Sequence, residues 1–191
     1  MRKTFRKGQL LIQEGEAGDT IFIMTRGRVR AFGSSDNGRE ITYGTYGVGE
    51  YLGEMSLDGG PRSASVEAIE PTECMQVTRQ TLLQYIAEHP EFALELLAKV
   101  IRRARIATLN AKQLALNDVY GRLVLLLNAL AEPRPDGTRV VTERLTHGEL
   151  GKRLGCTREM VSRLMKDLQG GGYVDTTAPQ WVLRKPLPVR W

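Results

Sequence analysis

From Glu91 to Asn117 the chain runs for 27 residues without a proline or a glycine. At 3.6 residues per turn this is room for about seven turns of α-helix. Chain on either side of the run has a different texture, so the sequence predicts a long helix joining two dissimilar parts.

Ahead of it, from Leu10 to about Arg79, short runs rich in β-branched residues alternate with glycines: IFIMT, RGRVRAFG, SSDNGREITYGTYG, SASVEAI and ECMQVT. This is the pattern of antiparallel strands. Asp36, Asn37 and Gly38 sit between two alternating runs and supply the residues that a tight hairpin turn favours. Gly15, Gly18, Gly27, Gly44, Gly47, Gly49 and Gly53 are expected at strand ends, the corners of an all-β jelly roll or small barrel.

Within the long run, Val100, Ala104, Ala107, Ala111 and Leu114 repeat at alternating spacings of four and three, which lines small and apolar side chains along one seam. Such a seam suits a two-stranded helical interface, or else packing against the β-roll. Asp118 is placed to cap a following helix, VYGRLVLLLNALAE, which is expected to end before the loop PRPDG.

The last third opens on Thr146-x-x-Glu149, a capping box, and continues ELGKRLGCTREMVSRLMKDLQGGGYV. Two short helices joined at Gly155, the second capped by Thr157, make a helix-turn-helix. Leu150, Leu154, Val161, Leu164 and Leu168 fall on the inner faces, while Arg158, Glu159, Ser162, Arg163 and Lys166 fall on the outer face of the second helix. GGGYV and QWVLRK then predict a two-stranded wing, with Gly170 to Gly172 at the corner.

Charge follows the same division. Residues 1–100 hold 11 Lys/Arg against 14 Asp/Glu, whereas residues 101–191 hold 16 against 8. A polyanionic partner is therefore expected at the C-terminal half. Cys74 and Cys156 stand apart without a CxxC, and His89 and His147 are equally scattered, so local spacing assembles neither a disulfide framework nor a metal site. No run of eighteen uncharged apolar residues occurs, and MRKTFRKGQL has basic residues with no apolar segment behind them, which predicts a cytoplasmic protein without a membrane span. No GxSxG, HExxH, P-loop or GxGxxG is present, so no enzymatic machinery is expected.

One segment of the β-half concentrates chemistry. In YLGEMSLDGGPRSASV, Gly53, Glu54 and Met55 precede a glycine-rich turn, and Arg62, Ser63 and Ala64 follow it. A guanidinium, a hydroxyl and backbone N–H groups suit a phosphodiester, and a carboxylate beside them suits a sugar hydroxyl, since it would repel a phosphate. The same spacing also fits a surface loop with an ordinary Glu/Arg ion pair.

These motifs together resemble the cyclic AMP receptor protein and fumarate-nitrate regulator superfamily of bacterial transcription factors. Gly53, Glu54, Leu57, Arg62, Ser63 and Ala64 match its phosphate-binding cassette, G-E-x-x-L followed by R-S/T-A. GCTREMVSRLMK is similar to its helix-turn-helix and LNDVYGRL to its hinge. The resemblance implies an α+β protein with a cyclic nucleotide-binding jelly roll (1–90), a long dimerisation helix (91–117) and a winged helix-turn-helix domain (118–191).

It further implies that Glu54 holds the ribose 2′-hydroxyl, that Arg62 and Ser63 hold the cyclic phosphate, and that Gly53 and Met55 belong to the same nucleotide site. Arg103 takes the place of a long-helix arginine near the cassette glutamate, and Thr108 that of a base-touching hydroxyl. Ala107 replaces the second hydroxyl of the family's pair, and Tyr43 and Tyr46 stand where aliphatic or small residues are usual, so they are either base-stacking rings or roll core. Cyclic AMP is the implied effector, with cyclic di-GMP or ligand-free action as the alternatives. An iron–sulfur sensor would need cysteines that Met1–Gly53 lacks, and a haem sensor has only His89 and His147 to draw on. At DNA, Arg158, Glu159 and Arg163 are expected against base edges, and His147, Thr157, Ser162 and Lys166 against phosphates. The implied partners are double-stranded DNA, a second copy of the chain and RNA polymerase.

Overall fold

The structure is a computed structural model describing residues 1–36, 38–177 and 180–188. The chain divides into two compact units, Met1–Ala107 and Thr108–Trp191. The division falls inside the long helix, ahead of the Asn117–Asp118 junction.

The first unit is a roll of two four-stranded antiparallel sheets. One has the order β1 (Arg2–Phe5), β8 (Thr72–Thr78), β3 (Thr20–Arg26), β6 (Tyr51–Leu52); the other runs β2 (Leu10–Ile12), β7 (Ser65–Ala68), β4 (Val29–Ser34), β5 (Glu40–Tyr46). Alternation along each strand turns one side inward, and the core between the sheets takes Phe22, Met24, Leu52 and Cys74 from the first and Ile12, Val29, Ala31 and Val66 from the second. The β4–β5 hairpin is present, with Gly38 at φ +76; Asn37, the middle of the expected turn, lies outside the described residues. Gly44 is not at a strand end as expected. It lies inside β5 opposite Ala31, beside a bulge that leaves Tyr43 as the extra residue.

Two elements of this unit carried no sequence signal. β1 is an edge strand laid along β8, and α1 (Arg79–Glu88), capped by the Thr78 hydroxyl, buries only Leu82. A helix with so narrow an apolar face has little periodicity to read.

α2 (Pro90–Leu116) fulfils the long-helix expectation, starting on a proline at the position where its missing N–H costs nothing. None of its residues is buried within the chain, and Val100, Ala104, Ala107, Ala111 and Leu114 are all exposed. Val100, Ala104 and Ala107, the part of the seam inside the first unit, are therefore not covered by the roll.

In the second unit α3 (Val119–Leu130) is capped by Asp118, whose carboxylate accepts from Gly121 N at 2.7 Å. The helix stops earlier than expected. Ala131 and Glu132 belong to β9 (Ala131–Pro133), which turns through PRPDG to pair with β10 (Arg139–Val141). With β11 (Val174–Asp175) and β12 (Val182–Leu183) these strands form a sheet in the order β11-β12-β10-β9, so the wing is half of a larger sheet. Ala178 and Pro179, inside the wing connection, lie outside the described residues.

α4 (His147–Leu154) and α5 (Arg158–Gly170) form the helix-turn-helix. Thr146 and Glu149 complete the capping box, Gly155 turns the chain at φ +67, and Thr157 caps α5. A side chain at Gly151 would come within 2.8 Å of the Cys156 carbonyl, so only glycine lets the turn lie this close to α4. Leu123, Leu127, Leu150, Val161, Met165 and Leu168 are sealed from solvent in one core. Met165 takes the inner place expected for Leu164, which is only partly buried. Full burial of each such side chain contributes about 1.5–3 kcal/mol.

Candidate functional sites in the roll and the helix-turn-helix

The cassette is built on two left-handed glycines, Gly53 at φ +83 and Gly59 at φ +94, which bracket a 3₁₀ helix, Glu54–Asp58. At that φ a side chain is strained, and one at Gly53 would meet Arg62 Nη1 at 2.4 Å. Gly18 presses the guanidinium from another side, where an added Cβ would fall 2.3 Å from Nε. Arg62 is thus sheathed by two glycines, and it and Glu54 are only 7% and 9% exposed.

Arg62 donates from Nη1 to the Gly53 carbonyl (2.9 Å) and Ser56 Oγ (2.7 Å), and from Nη2 to Thr20 Oγ1 (3.1 Å). Burial lowers its pKa, and the carboxylates of Asp19, Glu54 and Glu16 push it back up. Its backbone is pinned as well, through Arg62 N to Glu16 O and Gly15 N to Arg62 O. Ser63 and Met55 lie exposed next to each other, the hydroxyl 3.2 Å from the Met55 sulfur.

Glu54 pairs with the long helix. Arg103 Nη1 donates to Glu54 Oε1 at 2.7 Å, while Nη2 reaches Glu50 Oε2 at 3.2 Å and the Tyr51 carbonyl. One helical turn earlier Lys99 donates to the Gly49 carbonyl and lies 3.9 Å from Glu50 Oε1. Tyr51 lies under the Lys99 ammonium and Tyr46 under the Arg103 guanidinium, with cation-to-centroid distances of 4.3 and 4.5 Å. Burial holds the Tyr46 phenol above its ordinary value. The surface-loop reading of the cassette fails on these contacts: both charges are buried, and the glutamate's partner is Arg103.

In the second unit the outer face of α5 presents Thr157, Arg158, Glu159, Arg163 and Lys166 to solvent. The Thr157 hydroxyl accepts from Met160 N, and the Glu159 carboxylate is held below the usual carboxylate range by its own backbone N–H and by Thr157. His147 and Ser162, both partly buried, bond to each other, Nδ1 to Oγ, at 2.9 Å. Trp181 of the wing stands 6.0 Å from the His147 ring, and both residues line an open cavity of about 530 Å³ with Leu145, Gly148 and Arg158.

Comparison with known proteins adds what geometry alone does not. Residues 2–89 match the cyclic nucleotide-binding domain, and residues 144–173 match the bacterial regulatory proteins of the crp family. A CRP-like cAMP-activated global transcriptional regulator of Mycobacterium tuberculosis is 32% identical over 89% of this chain and 78% of its own length. The chain belongs to the crp family. The cAMP-activated global transcriptional regulator CRP of Escherichia coli is 31% identical over 83% of this chain and 78% of its own. Among solved structures, the c-di-GMP-responsive global regulator CLP of Xanthomonas campestris superposes with a TM-score of 0.84 at 24% identity, over 97% of this chain and 94% of that one. That likeness speaks for the fold.

This crp-family chain is accordingly a transcription regulator with a cyclic nucleotide-binding domain and a helix-turn-helix. Among the described residues no helix is long and apolar enough to cross a membrane. The fold gathers Gly53, Glu54, Met55, Arg62 and Ser63 on one turn and brings Arg103 to it from α2. Thr108, farther along the same helix, falls in the second unit and is exposed. Of the two tyrosines, Tyr46 packs on the roll core beneath Arg103, whereas Tyr43, on the bulge, is exposed.

Sequence reasoning missed Thr20, Ser56, Glu50 and Lys99. Thr20 meets Arg62 only through the tertiary fold. Lys99 and Arg103 did carry a signal, two cations at i and i+4 on one helix face, which bespeaks an acidic counterpart.

Proposed function

We propose that the chain is a cyclic-nucleotide-responsive, dimeric transcription regulator that grips pseudo-palindromic DNA, with cyclic AMP as its effector. The observation that carries the reading is the pairing of opposite chemistries on one buried turn. Arg62 engages three of its five N–H groups with protein acceptors, and the contact that Glu54 makes with Arg103 uses one carboxylate oxygen. The donor set suits a cyclic phosphate on Arg62 and Ser63, with Gly53 and Met55 beside them, and the acceptor suits a ribose 2′-hydroxyl on Glu54. The cAMP-activated regulators of M. tuberculosis and E. coli, each more than 30% identical, support the choice of effector.

In this reading the roll (1–90) senses the ligand, the helix (91–117) pairs two copies through its exposed seam, with Thr108 approaching the base, and residues 118–191 bind DNA. Occupancy shifts α2 through Arg103, and the two recognition helices settle about 34 Å apart, one DNA turn. Arg158, Glu159 and Arg163 then read base edges, with His147, Thr157, Ser162 and Lys166 on phosphates. RNA polymerase is the downstream partner.

Calorimetric titration with cyclic AMP, cyclic GMP and cyclic di-GMP, followed by gel shifts on randomised duplex DNA with each nucleotide, tests the reading. Saturable heat with cyclic AMP, and a shift that depends on it, is the expected result. Heat with cyclic di-GMP alone would replace the effector, and ligand-independent retardation would remove the switch.

A further inference from the structure

Between the β6 segment and α2, two acids, Glu50 and Glu54, face two bases, Lys99 and Arg103. A guanidinium facing one carboxylate closes on both its oxygens, because its parallel N–H pairs match their spacing. Arg103 does not do this. Nη1 goes to Glu54 Oε1, while Nη2 is drawn to Glu50 Oε2 and the Tyr51 carbonyl. The Tyr46 ring beneath the guanidinium and Lys99 on the far side of Glu50 hold that divided arrangement in place.

We propose that Glu50 is a positioning residue of the ligand site: it occupies the second arm of Arg103 and so reserves one oxygen of Glu54 for a ribose hydroxyl. The inference rests on the cyclic-nucleotide reading above and adds the residue that keeps the site receptive. The Glu54 side chain is 6% exposed, so the oxygen that Arg103 leaves alone is a largely shielded acceptor whose remaining opening suits a ribose hydroxyl. Without Glu50, the Nη2 N–H that it holds would be released to turn onto that oxygen, the other staying on the Tyr51 carbonyl, and the ribose would have to break a bidentate ion pair to enter. The Glu50 side chain is 34% exposed, which lets it be replaced without opening the core.

The test is titration of the full chain and its Glu50→Ala variant with cyclic AMP and with 2′-deoxy cyclic AMP. Parent protein should prefer the ribose form. In Glu50→Ala the affinity for cyclic AMP should fall about tenfold, the loss of one hydrogen bond to a charged acceptor, while that for the deoxy analogue stays nearly unchanged. Equal losses for both ligands would mark a merely structural role and overturn the inference. So would an unaltered preference for the ribose form, or a parent protein that binds both analogues alike. If the parent binds neither nucleotide, the cyclic-nucleotide reading itself fails, a result distinct from the others. Glu50→Gln, which keeps an acceptor for Arg103, should fall between parent and Glu50→Ala.

Discussion

The two units hold their charges in opposite ways. In the roll, Arg62 and Glu54 are buried and held by backbone, hydroxyls and a second helix. On α5 the charged residues stand in solvent, and the helix beneath them is fixed by caps and a core that does not involve them. A buried charge is costly unless every neighbour is in place, so the cassette's function and the roll's stability draw on the same atoms. On the exposed face of α5 the two are separable. Mutations in the cassette should therefore damage folding and ligand binding together, and mutations on α5 should damage recognition alone.

Three experiments would break or sharpen that contrast. The largest effect is expected from Arg62→Ala, which removes three donor contacts and leaves an empty space beside Thr20 Oγ1 and the Ser56 hydroxyl, the latter still bonded to the Gly53 carbonyl; stability should fall by about 2–4 kcal/mol, measured by urea unfolding, with loss of cyclic AMP binding. An unaltered unfolding midpoint would mean that the guanidinium contributes no net stability to the roll. Next, Arg163→Ala should cost about 1–3 kcal/mol at one G·C position and relax preference there, at unchanged stability. Equal losses on selected and random DNA would assign Arg163 to the phosphates.

The smallest effect is expected at Asp175, whose carboxylate is held well below its usual range by the Thr177 hydroxyl and by Arg184 across the wing. Since the folded value is depressed, the contribution is present above the ordinary carboxylate value and disappears as the pH falls through the folded one. Asp175→Asn should melt slightly below the parent at neutral pH, and the two melting curves should converge on strong acidification. A gap that persisted would trace the difference to shape rather than charge.

Much of this was legible in the residues because it is local. A proline-free and glycine-free run makes a long helix, a Thr-x-x-Glu box starts one, and DNG between alternating strands bends a hairpin. α1 and β1 escaped because their stability comes from what they pack beside. The PRPDG loop became a hairpin because β12 is there to extend its sheet, which outweighed the helical pattern of Ala131 and Glu132.

The sequence by itself determined the order of elements, the glycines that turn the chain and the residue types of both sites, since each follows from backbone sterics and hydrophobic period within a few positions. Only the tertiary structure decided that Arg62 lies between Gly18 and Gly53, that Glu54 shares Arg103 with Glu50, and that His147 bonds Ser162. Those partners lie up to tens of residues apart in the chain, and a charge in a low-dielectric setting is governed by which groups the fold brings within about 3 Å of it.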